Sequence, residues 1–516
     1  MDKRRFGIME AENGNMRFSW RLAKLTATTL LAMGIVFATC MHIRGQEQTP
    51  QNPAPRPRRE LGPELQLKIN APFTLAAVGD IIAPETWGDP ADPGYQNLIR
   101  IIRGADVGFA NMEMSLVDMT GFRGPLMGTL GPLSVGADIK AMGITIMNRA
   151  NNHAFDGGVE GMFSTDKALD NLGIVHAGTG HNLNEARAAS FLATPKGRIG
   201  IVGMVSIDTT LLGDPGSTYV YMAATYKSGD LGGRPGLDPV RLTTYHVVTP
   251  EQLRQLRAIR DAVAPGATNA GGLFGVFSTP EQNRAASADP DRLRLFDTYF
   301  KSGTKPGSLS YEMNADDERD ILRSVRDGKI RSDFVIATIH AHHGHQMING
   351  VSTASDWLIE LAHKCIDNGA DVFIAHGPHA VEGVEIYKGK PIFYGMSSWV
   401  FQTDLQISLS DKATLTAPGD DPLVWAQTNG YGLESQEISQ GLLTTSHYEG
   451  GRLVEVRLYP TDMGGTRRPM SRMGIPMTPS PEIAQRILQE IQTKSKQFGT
   501  TISIDNNVGV IRVVPD

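Results

Sequence analysis

The sequence predicts a fold in which helices pack on the faces of a parallel or mixed β-sheet. Short apolar or β-branched runs alternate along the chain with longer stretches whose apolar residues recur at helical spacing. Several of the helical stretches begin near Ser or Thr or end at Gly, as helices commonly do. With 516 residues, 41% hydrophobic and 20% charged, the chain has the composition of a globular protein with a sizeable core.

The N-terminal segment, residues 1–45, has the pattern of a secretory signal. Basic residues between Lys3 and Lys24 precede the apolar run Leu25–Cys40, which is short for a membrane span. A cleaved signal is therefore favoured, and an N-terminal anchor is the alternative. Both place the protein outside the cytoplasm, in the periplasm, in the medium or on the membrane. Residues 46–66, rich in Pro, Gln and Arg, predict a solvated linker.

Charge and cysteine content exclude two further classes of protein. A formal charge of −6 offers no polycation for binding nucleic acid. The two cysteines, Cys40 and Cys365, are too few for a disulfide framework.

The main domain is predicted to span residues 67–460. Its first half alternates strands and helices in the order FTLAAVG, GYQNLIRIIRGA, DVGFANME, GADIKAMGI, TIMNRA, VEGMFSTDKALDNLGI and RIGIVGMVS. Residues 208–331 are punctuated by Gly and Pro around one helix, TPEQLRQLRAIRDAV, and are interpreted as an insertion or lid. A helix near Ser355 then leads into the strand DVFIA. Residues 461–516 predict a helix and a β-hairpin, as a small C-terminal subdomain.

Two histidine-rich windows each follow a run typical of a buried strand. They are TIHAHHGHQ and IAHGPHAVEG, which contain His340, His342, His343, His345, His376 and His379. Ligands bind outside the ends of such strands in α/β sheets, and imidazole is the commonest metal ligand in proteins. One such window alone would also fit a polar surface loop, but two windows behind two strands favour a metal site.

Carboxylates end two other predicted strands. Asp80 in LAAVGDII and Glu113 in GFANMEMS would each alone fit a turn or a helix cap. Together with the imidazoles and an amide oxygen, they can hold one or two divalent ions, for which Mn, Fe, Zn and Co all remain open. A pair of such ions can activate water and bind a phosphoryl or carbonyl oxygen.

The stretch NRANNHAFDGG supplies the remaining candidates. Asn152 can offer its amide oxygen to a metal, and His153 can protonate a leaving group. Asp156 can accept the other imidazole N–H and fix the tautomer of His153. Asn151 is expected to hold the loop through hydrogen bonds to the backbone. The alternative is a strand end followed by a capped helix, without chemistry.

These motifs occur in the order VGDII, ANMEMSL, ANNHAFDGG, IHAH and IAHGPHAVEGVEIYKGKPIFYGMSSWVF. In this order the sequence resembles the CapA family, named for poly-γ-glutamate capsule synthesis, from about Phe73 to Phe401. The CapA domain is similar to calcineurin-like metallophosphoesterases. The resemblance therefore implies an α+β fold, a four-layer α/β/β/α sandwich of two mixed sheets.

The resemblance also implies a role for each candidate residue. The metal ligands are Asp80, Glu113 as the bridging carboxylate, Asn152, His340, His376 and His379, and the catalytic acid is His153. Two positions depart from the family pattern. The usual HWGxE reads HAHHG, so that His342 is either an additional ligand or a substrate contact, and Ser398 stands where the family often has Asn.

The function implied is an extracytoplasmic metal-dependent hydrolase of a phosphoester or a γ-glutamyl amide, acting in the synthesis, export or modification of a capsular polymer. The sequence has no Gly-rich nucleotide cradle, so ATP-dependent ligation is not predicted. The expected partners are an anionic polymer or phosphoester substrate and a membrane-bound polymer synthase complex. Two alternatives remain, namely a non-catalytic accessory of that synthase and a secreted phosphatase or phosphodiesterase.

Overall fold

A computed structural model of the chain describes residues 62–125, 128–209, 220–227, 232–262, 289–295, 298–348, 351–402, 435–436, 438–464, 468–469 and 472–513. Within these ranges the α-helices are α1 (Pro93–Arg103), α2 (Val135–Ala141), α3 (Gly158–Asn171), α4 (Leu183–Ala186), α5 (Pro250–Ala262), α6 (Ala315–Arg331), α7 (Asp356–Asp367) and α8 (Pro481–Ser495). The predicted signal and most of the predicted linker lie outside these ranges.

The strands are β1 (Phe73–Ile82), β2 (Val107–Met112), β3 (Ser115–Val117), β4 (Leu130–Pro132), β5 (Ile146–Asn148), β6 (Val175–Ala177), β7 (Thr179–Gly180), β8 (Ser190–Thr194), β9 (Gly197–Asp208), β10 (Gly236–Leu237), β11 (Pro239–Val248), β12 (Arg292–Leu295), β13 (Thr298–Ser302), β14 (Leu309–Met313), β15 (Phe334–His340), β16 (His345–Ile348), β17 (Val351–Ala354), β18 (Val372–His376), β19 (Val384–Tyr387), β20 (Lys390–Phe393), β21 (Ser398–Phe401), β22 (Gln440–Glu449), β23 (Arg452–Asp462), β24 (Ser503–Asp505) and β25 (Val508–Arg512).

Most of these strands form two mixed sheets. The first has the order β24-β25-β23-β22-β1-β2-β5-β6, with β21 also paired to β1. The second has the order β12-β13-β11-β9-β15-β18-β20-β19, with β14 paired to β11 and β8 to β9. The prediction of mixed sheets with helices on their faces is confirmed.

The two sheets share one apolar core. Phe73 and Phe109 of the first sheet are fully buried in the same cluster as Ile201, Phe334 and Ile374 of the second. The other face of the first sheet packs with α1 and α2, and the other face of the second packs with α6 and α7. Successive side chains of a strand therefore pack in different cores, because they point to opposite faces of the sheet.

The predicted helices near Pro93, Gly158, Pro250, Ser355 and Ser480 are all present. The start of α7 differs in one respect from the expected capping. The Ser355 hydroxyl donates to the carbonyl oxygen of His343 and makes no capping hydrogen bond to the helix amides. No helix in the described ranges is long and apolar enough to cross a membrane.

The segments predicted as an insertion and a C-terminal subdomain both contribute to the main sheets. In the first of them, β11 runs parallel to β9 in the second sheet, and α6 packs on that sheet. At the C-terminus, β25 pairs with β23 at the edge of the first sheet, and Ile487 and Ile491 of α8 lie in the shared core. A lid function for residues 208–331 stays a prediction.

Parallel pairing brings polar residues of several strands to a common end of the sheets. In the first sheet Asp80 pairs with Asn111, and Asn111 pairs with Asn148. In the second sheet His340 pairs with His376. Gly79 permits β21 to approach β1 here, because a Cβ at this position would lie 1.7 Å from the Ser397 carbonyl oxygen.

Candidate metal centre

Asp80, His340 and His376 form the first of two groups that could hold a metal ion. All three side chains are fully buried. Oδ1 of Asp80 lies 3.4 Å from Nδ1 of His376 and 3.8 Å from Nδ1 of His340, and the two ring nitrogens are 3.1 Å apart. A carboxylate oxygen and two imidazole nitrogens thus point at one small volume.

Glu113, His342 and His379 form the second group. Oε1 of Glu113 lies 3.8 Å from Nε2 of His379, and Nε2 of His340 lies 3.4 Å from the same oxygen. Nε2 of His342 is 3.2 Å from Nε2 of His340. His340 therefore lies between the two groups, with one ring nitrogen toward each. The structure brings His342, for which the sequence left a ligand and a substrate contact as alternatives, into this cluster.

The Glu113 carboxylate is fully buried, and neither of its oxygens accepts a hydrogen bond from the described residues. Burial, together with the negative charge of Asp80, raises the pKa of Glu113 well above its usual value. A buried carboxylate without donors is unfavourable, and a bound cation would remove the penalty.

The four imidazoles of the two groups favour the neutral form. Burial lowers the pKa of His376 to about 3, despite the opposing charge of Asp80. Burial likewise lowers the pKa of His340 and His342 well below the usual value, and that of His379 to a lesser extent. Neutral imidazole is the form that ligates metals, so these rings are ready for binding at neutral pH.

Two hydroxyl groups orient two of the rings. The Thr338 hydroxyl lies 3.0 Å from Nε2 of His376, and the Ser398 hydroxyl lies 2.9 Å from Nδ1 of His379. When each of these nitrogens donates its proton to the hydroxyl oxygen, Nδ1 of His376 and Nε2 of His379 keep lone pairs that face the carboxylates. Thr338 was not among the residues expected from sequence, although a Thr at a buried strand position two residues before His340 is a usable signal.

A chain of asparagines supports Asp80. The Asn111 amide donates to Oδ1 of Asp80 at 2.8 Å, and Asn148 and Asn151 donate to Oδ1 of Asn111 at 2.9 and 3.2 Å. Asn151 also donates to the Met112 carbonyl oxygen at 2.6 Å. The prediction that Asn151 holds its loop through the backbone is confirmed.

Arg149 supports the site structurally and was not among the residues expected from the sequence. Its guanidinium is fully buried and donates to the carbonyl oxygens of Met112 and Met114, at 3.1 and 3.0 Å, on either side of Glu113. Nε of Arg149 pairs with Asp166 of α3 at 3.1 Å. The only signal in the sequence is an arginine directly after the short strand β5. Arg149 fixes the turn from which Glu113 projects.

His153 and Asp156 form the pair predicted from NRANNHAFDGG. Nδ1 of His153 lies 2.6 Å from Oδ2 of Asp156, and Asp156 also accepts from the Thr129 amide. Partial burial lowers the pKa of His153, but the Asp156 carboxylate outweighs it, so the net pKa is raised. The His153 side chain is 29% exposed, so it remains accessible to a substrate.

The donor set fits a divalent first-row ion, because it combines carboxylate oxygens with neutral imidazoles in a buried site. Asn152 is 6% exposed, and its amide oxygen accepts no hydrogen bond within the described ranges, so this oxygen has lone pairs available for a metal ion. The structure thus clusters Asp80, Glu113, His340, His342, His376 and His379, and holds His153 against Asp156.

Comparison with known proteins identifies similar chains. Residues 74–403 match the family described as Bacterial capsule synthesis protein PGA_cap. The uncharacterized protein y4sH of Sinorhizobium fredii is 35% identical over 464 residues, 86% of this chain and 93% of the relative. The PGA biosynthesis protein CapA of Bacillus subtilis is 32% identical over 77 residues, 15% of this chain and 19% of the relative. The capsule biosynthesis protein CapA of Bacillus anthracis is 31% identical over 97 residues, 19% and 22% of the two chains.

Proposed function

Because the chain belongs to the bacterial capsule synthesis protein family PGA_cap, as its CapA-like motifs predict, we propose that it is an extracytoplasmic metal-dependent hydrolase. It would act in the synthesis, export or modification of a capsular polymer such as poly-γ-glutamate, alongside a membrane-bound synthase. The names of the two Bacillus relatives support a role with a capsular polymer. The signal-like N-terminus supports a location outside the cytoplasm. The separate cores on both faces of each sheet support a four-layer α/β/β/α arrangement.

The buried Glu113 carboxylate, without a hydrogen-bond donor among the described residues and beside four neutral imidazoles, carries this proposal. Asp80, His340 and His376 would hold one divalent ion, Mn, Fe, Zn or Co, and Glu113, His342 and His379 a second, with Asn152 as an oxygen ligand. An ion bound there supplies Lewis acidity toward a phosphoryl or carbonyl oxygen and lowers the pKa of a water molecule.

The side chains around the ligands have separate tasks. Asn111 holds the Asp80 carboxylate in place through its amide. Asp156 holds Nδ1 of His153, so that Nε2 carries the proton that is given to the departing oxygen or nitrogen. The raised pKa of His153, caused by the Asp156 carboxylate, favours the protonated ring that a proton donor needs. A carboxylate that orients an imidazole in this way stabilises the protonated ring during transfer.

The proposal is tested with the purified full-length protein, metal analysis and three substrates: a phosphomonoester, a phosphodiester and a γ-glutamyl peptide. Wild type is expected to carry a divalent metal and to hydrolyse one of them. His153→Ala should keep the metal and lose about 10²- to 10⁴-fold in kcat. His181→Ala, at a side chain 71% exposed, is the matched control and should leave kcat unchanged.

Two outcomes would redirect the proposal. Full metal content without turnover of any of the three substrates would favour the accessory role in a synthase complex. Hydrolysis of the phosphoesters without hydrolysis of the γ-glutamyl peptide would favour a secreted phosphatase or phosphodiesterase.

A further inference from the structure

The loop between β18 and β19 carries His379 in an unfavourable backbone conformation. His379 has φ +52, in the left-handed region that residues with a Cβ seldom occupy, and Gly377 before it has φ +120. Such a conformation persists only where the surroundings hold it. The contacts of residues 380–384 therefore help to fix the backbone from which the His379 ring projects, beside the contact of that ring with Ser398.

Lys494 of α8 is one of these contacts. Its ammonium group is 5% exposed and donates to the Val381 carbonyl oxygen at 2.7 Å. The same nitrogen lies 3.3 Å from Oε1 of Glu382 and 2.8 Å from Oε1 of Glu490. A buried ion pair adds little to stability compared with a pair of apolar side chains of similar size, although the loss of one partner alone is costly. Because Lys494 contacts Val381, two residues after His379, it is placed to position the His379 loop.

The neighbouring residue of the helix holds the same loop. The Ser495 hydroxyl accepts a hydrogen bond from the Val384 amide at 2.9 Å. Gly383 packs directly on the helix backbone, because a Cβ there would lie 2.8 Å from the Lys494 carbonyl oxygen. The loop after His379 thus rests on the C-terminal end of α8 through contacts at four consecutive residues, 381–384.

The residues after α8 reach the second histidine loop. The Gln497 amide donates to the Thr353 hydroxyl at 2.7 Å. Thr353 belongs to β17, which pairs with β16 immediately after the His342–Gly344 turn. The Ser355 amide, two residues further on, donates to the carbonyl oxygen of Gly344 at 2.6 Å. One helix end therefore contacts both loops that bring histidines to the second ligand group.

We infer that the C-terminal end of α8 is a positioning element for the second metal-ligand group, with Lys494 as the residue that sets the His379 loop. The inference rests on the proposed metal centre. It assigns a role to a segment that lies beyond residues 74–403, the part of the chain matched by the family. Lys494 acts on the site only through the backbone around His379.

The test is titration of the metal-free full-length protein with Mn²⁺ by calorimetry, together with the Tm of each variant without metal. Lys494→Met leaves the buried Glu382 carboxylate without its cation, so the metal-free Tm should fall. In the protein that folds, Mn²⁺ binding should weaken by about 10- to 100-fold, the usual effect of losing a residue that orients a ligand. Lys494→Arg, which keeps the donors, should recover part of the affinity. Lys496→Met, at an exposed lysine of the same helix end, is the control and should bind as wild type does.

Wild-type Mn²⁺ affinity in a folded Lys494→Met protein would overturn the inference and leave the metal centre intact. Absence of Mn²⁺ binding in wild type would instead overturn the metal centre and this inference with it. If Lys494→Met does not fold, Ser495→Ala removes a single hydrogen bond at the same loop. It should also weaken binding, and unchanged affinity in that variant would overturn the inference.

Discussion

The Ser398 hydroxyl lies 2.9 Å from Nδ1 of His379, at a position where the CapA resemblance implies that asparagine often stands. The same contact leaves Nε2 of His379 facing Glu113 at 3.8 Å. The departure from the motif therefore keeps a hydrogen-bonding group beside the ring. Ser398 therefore affects the orientation of the His379 ring as well as the shape of the pocket.

Ser398→Ala should weaken metal binding by about 10- to 100-fold, because the His379 ring loses the partner that fixes its tautomer and orientation. Calorimetric titration with Mn²⁺ measures the effect. Ser398→Thr keeps a hydroxyl and is the matched control, with affinity near wild type. Equal affinity in the alanine variant would show that another contact orients the ring.

Glu113→Gln should have opposite effects on the metal-free and the metal-bound protein. Without metal, the amide replaces a buried carboxyl whose ionised form is unfavourable, as its raised pKa indicates, so the free energy of unfolding at neutral pH should rise by about 1–3 kcal/mol. With excess Mn²⁺ or Zn²⁺, wild type should gain stability by ligand binding, whereas the variant should gain much less. Thermal unfolding in EDTA and in excess metal measures both the metal-free stability and the stability gained on metal binding.

The control for this prediction is Glu482→Gln, at an exposed carboxylate of α8. It should leave the gain in stability with metal unchanged. A Glu113→Gln protein that is less stable than wild type in EDTA and equally stabilised by metal would exclude Glu113 as a ligand. Wild type with the same Tm in EDTA and in metal would contradict the metal centre as a whole.

The candidate ligands could be found from sequence because each follows a strand-like run, and parallel strands place such residues at one end of a sheet. Asp80, Glu113, His340 and His376 are of this kind. Most of the residues that orient them could not be found, because their partners are distant in sequence. Lys494 contacts Val381 across 113 residues. The start of α7 was predicted, but its capping was not, because the Ser355 hydroxyl bonds to His343 instead.

Arg149→Met should lower stability by about 3–5 kcal/mol, because it leaves the Asp166 carboxylate buried without its cation and frees the carbonyls that flank Glu113. Urea unfolding in EDTA measures the loss. The double variant Arg149→Met/Asp166→Asn should lose less than the sum of the two single variants, since the unpaired charge is gone. Additive losses would mean that the pair is not coupled.

The metal-free protein should become less stable as the pH falls below 6.5. Burial depresses the pKa of His340, His342, His376 and His379 in the folded state, whereas the unfolded chain binds protons at its ordinary pKa. Their contribution to stability is present above about pH 6.5 and is lost as the pH falls, by about 1.4 kcal/mol per pH unit for each ring that stays neutral.

Glu113 acts in the opposite direction. Its raised pKa gives a stabilisation that is present below about pH 4.5 and is lost as the pH rises through the folded-state pKa. One carboxylate offsets only part of the effect of four imidazoles, so the net free energy of unfolding should still fall between pH 6.5 and 5. Urea unfolding in EDTA at several pH values gives the slope of the free energy of unfolding against pH.

His376→Asn should flatten that slope by close to one proton, because the ring with a pKa of about 3 is removed. A slope in wild type that is zero over this range would contradict the neutral imidazole cluster.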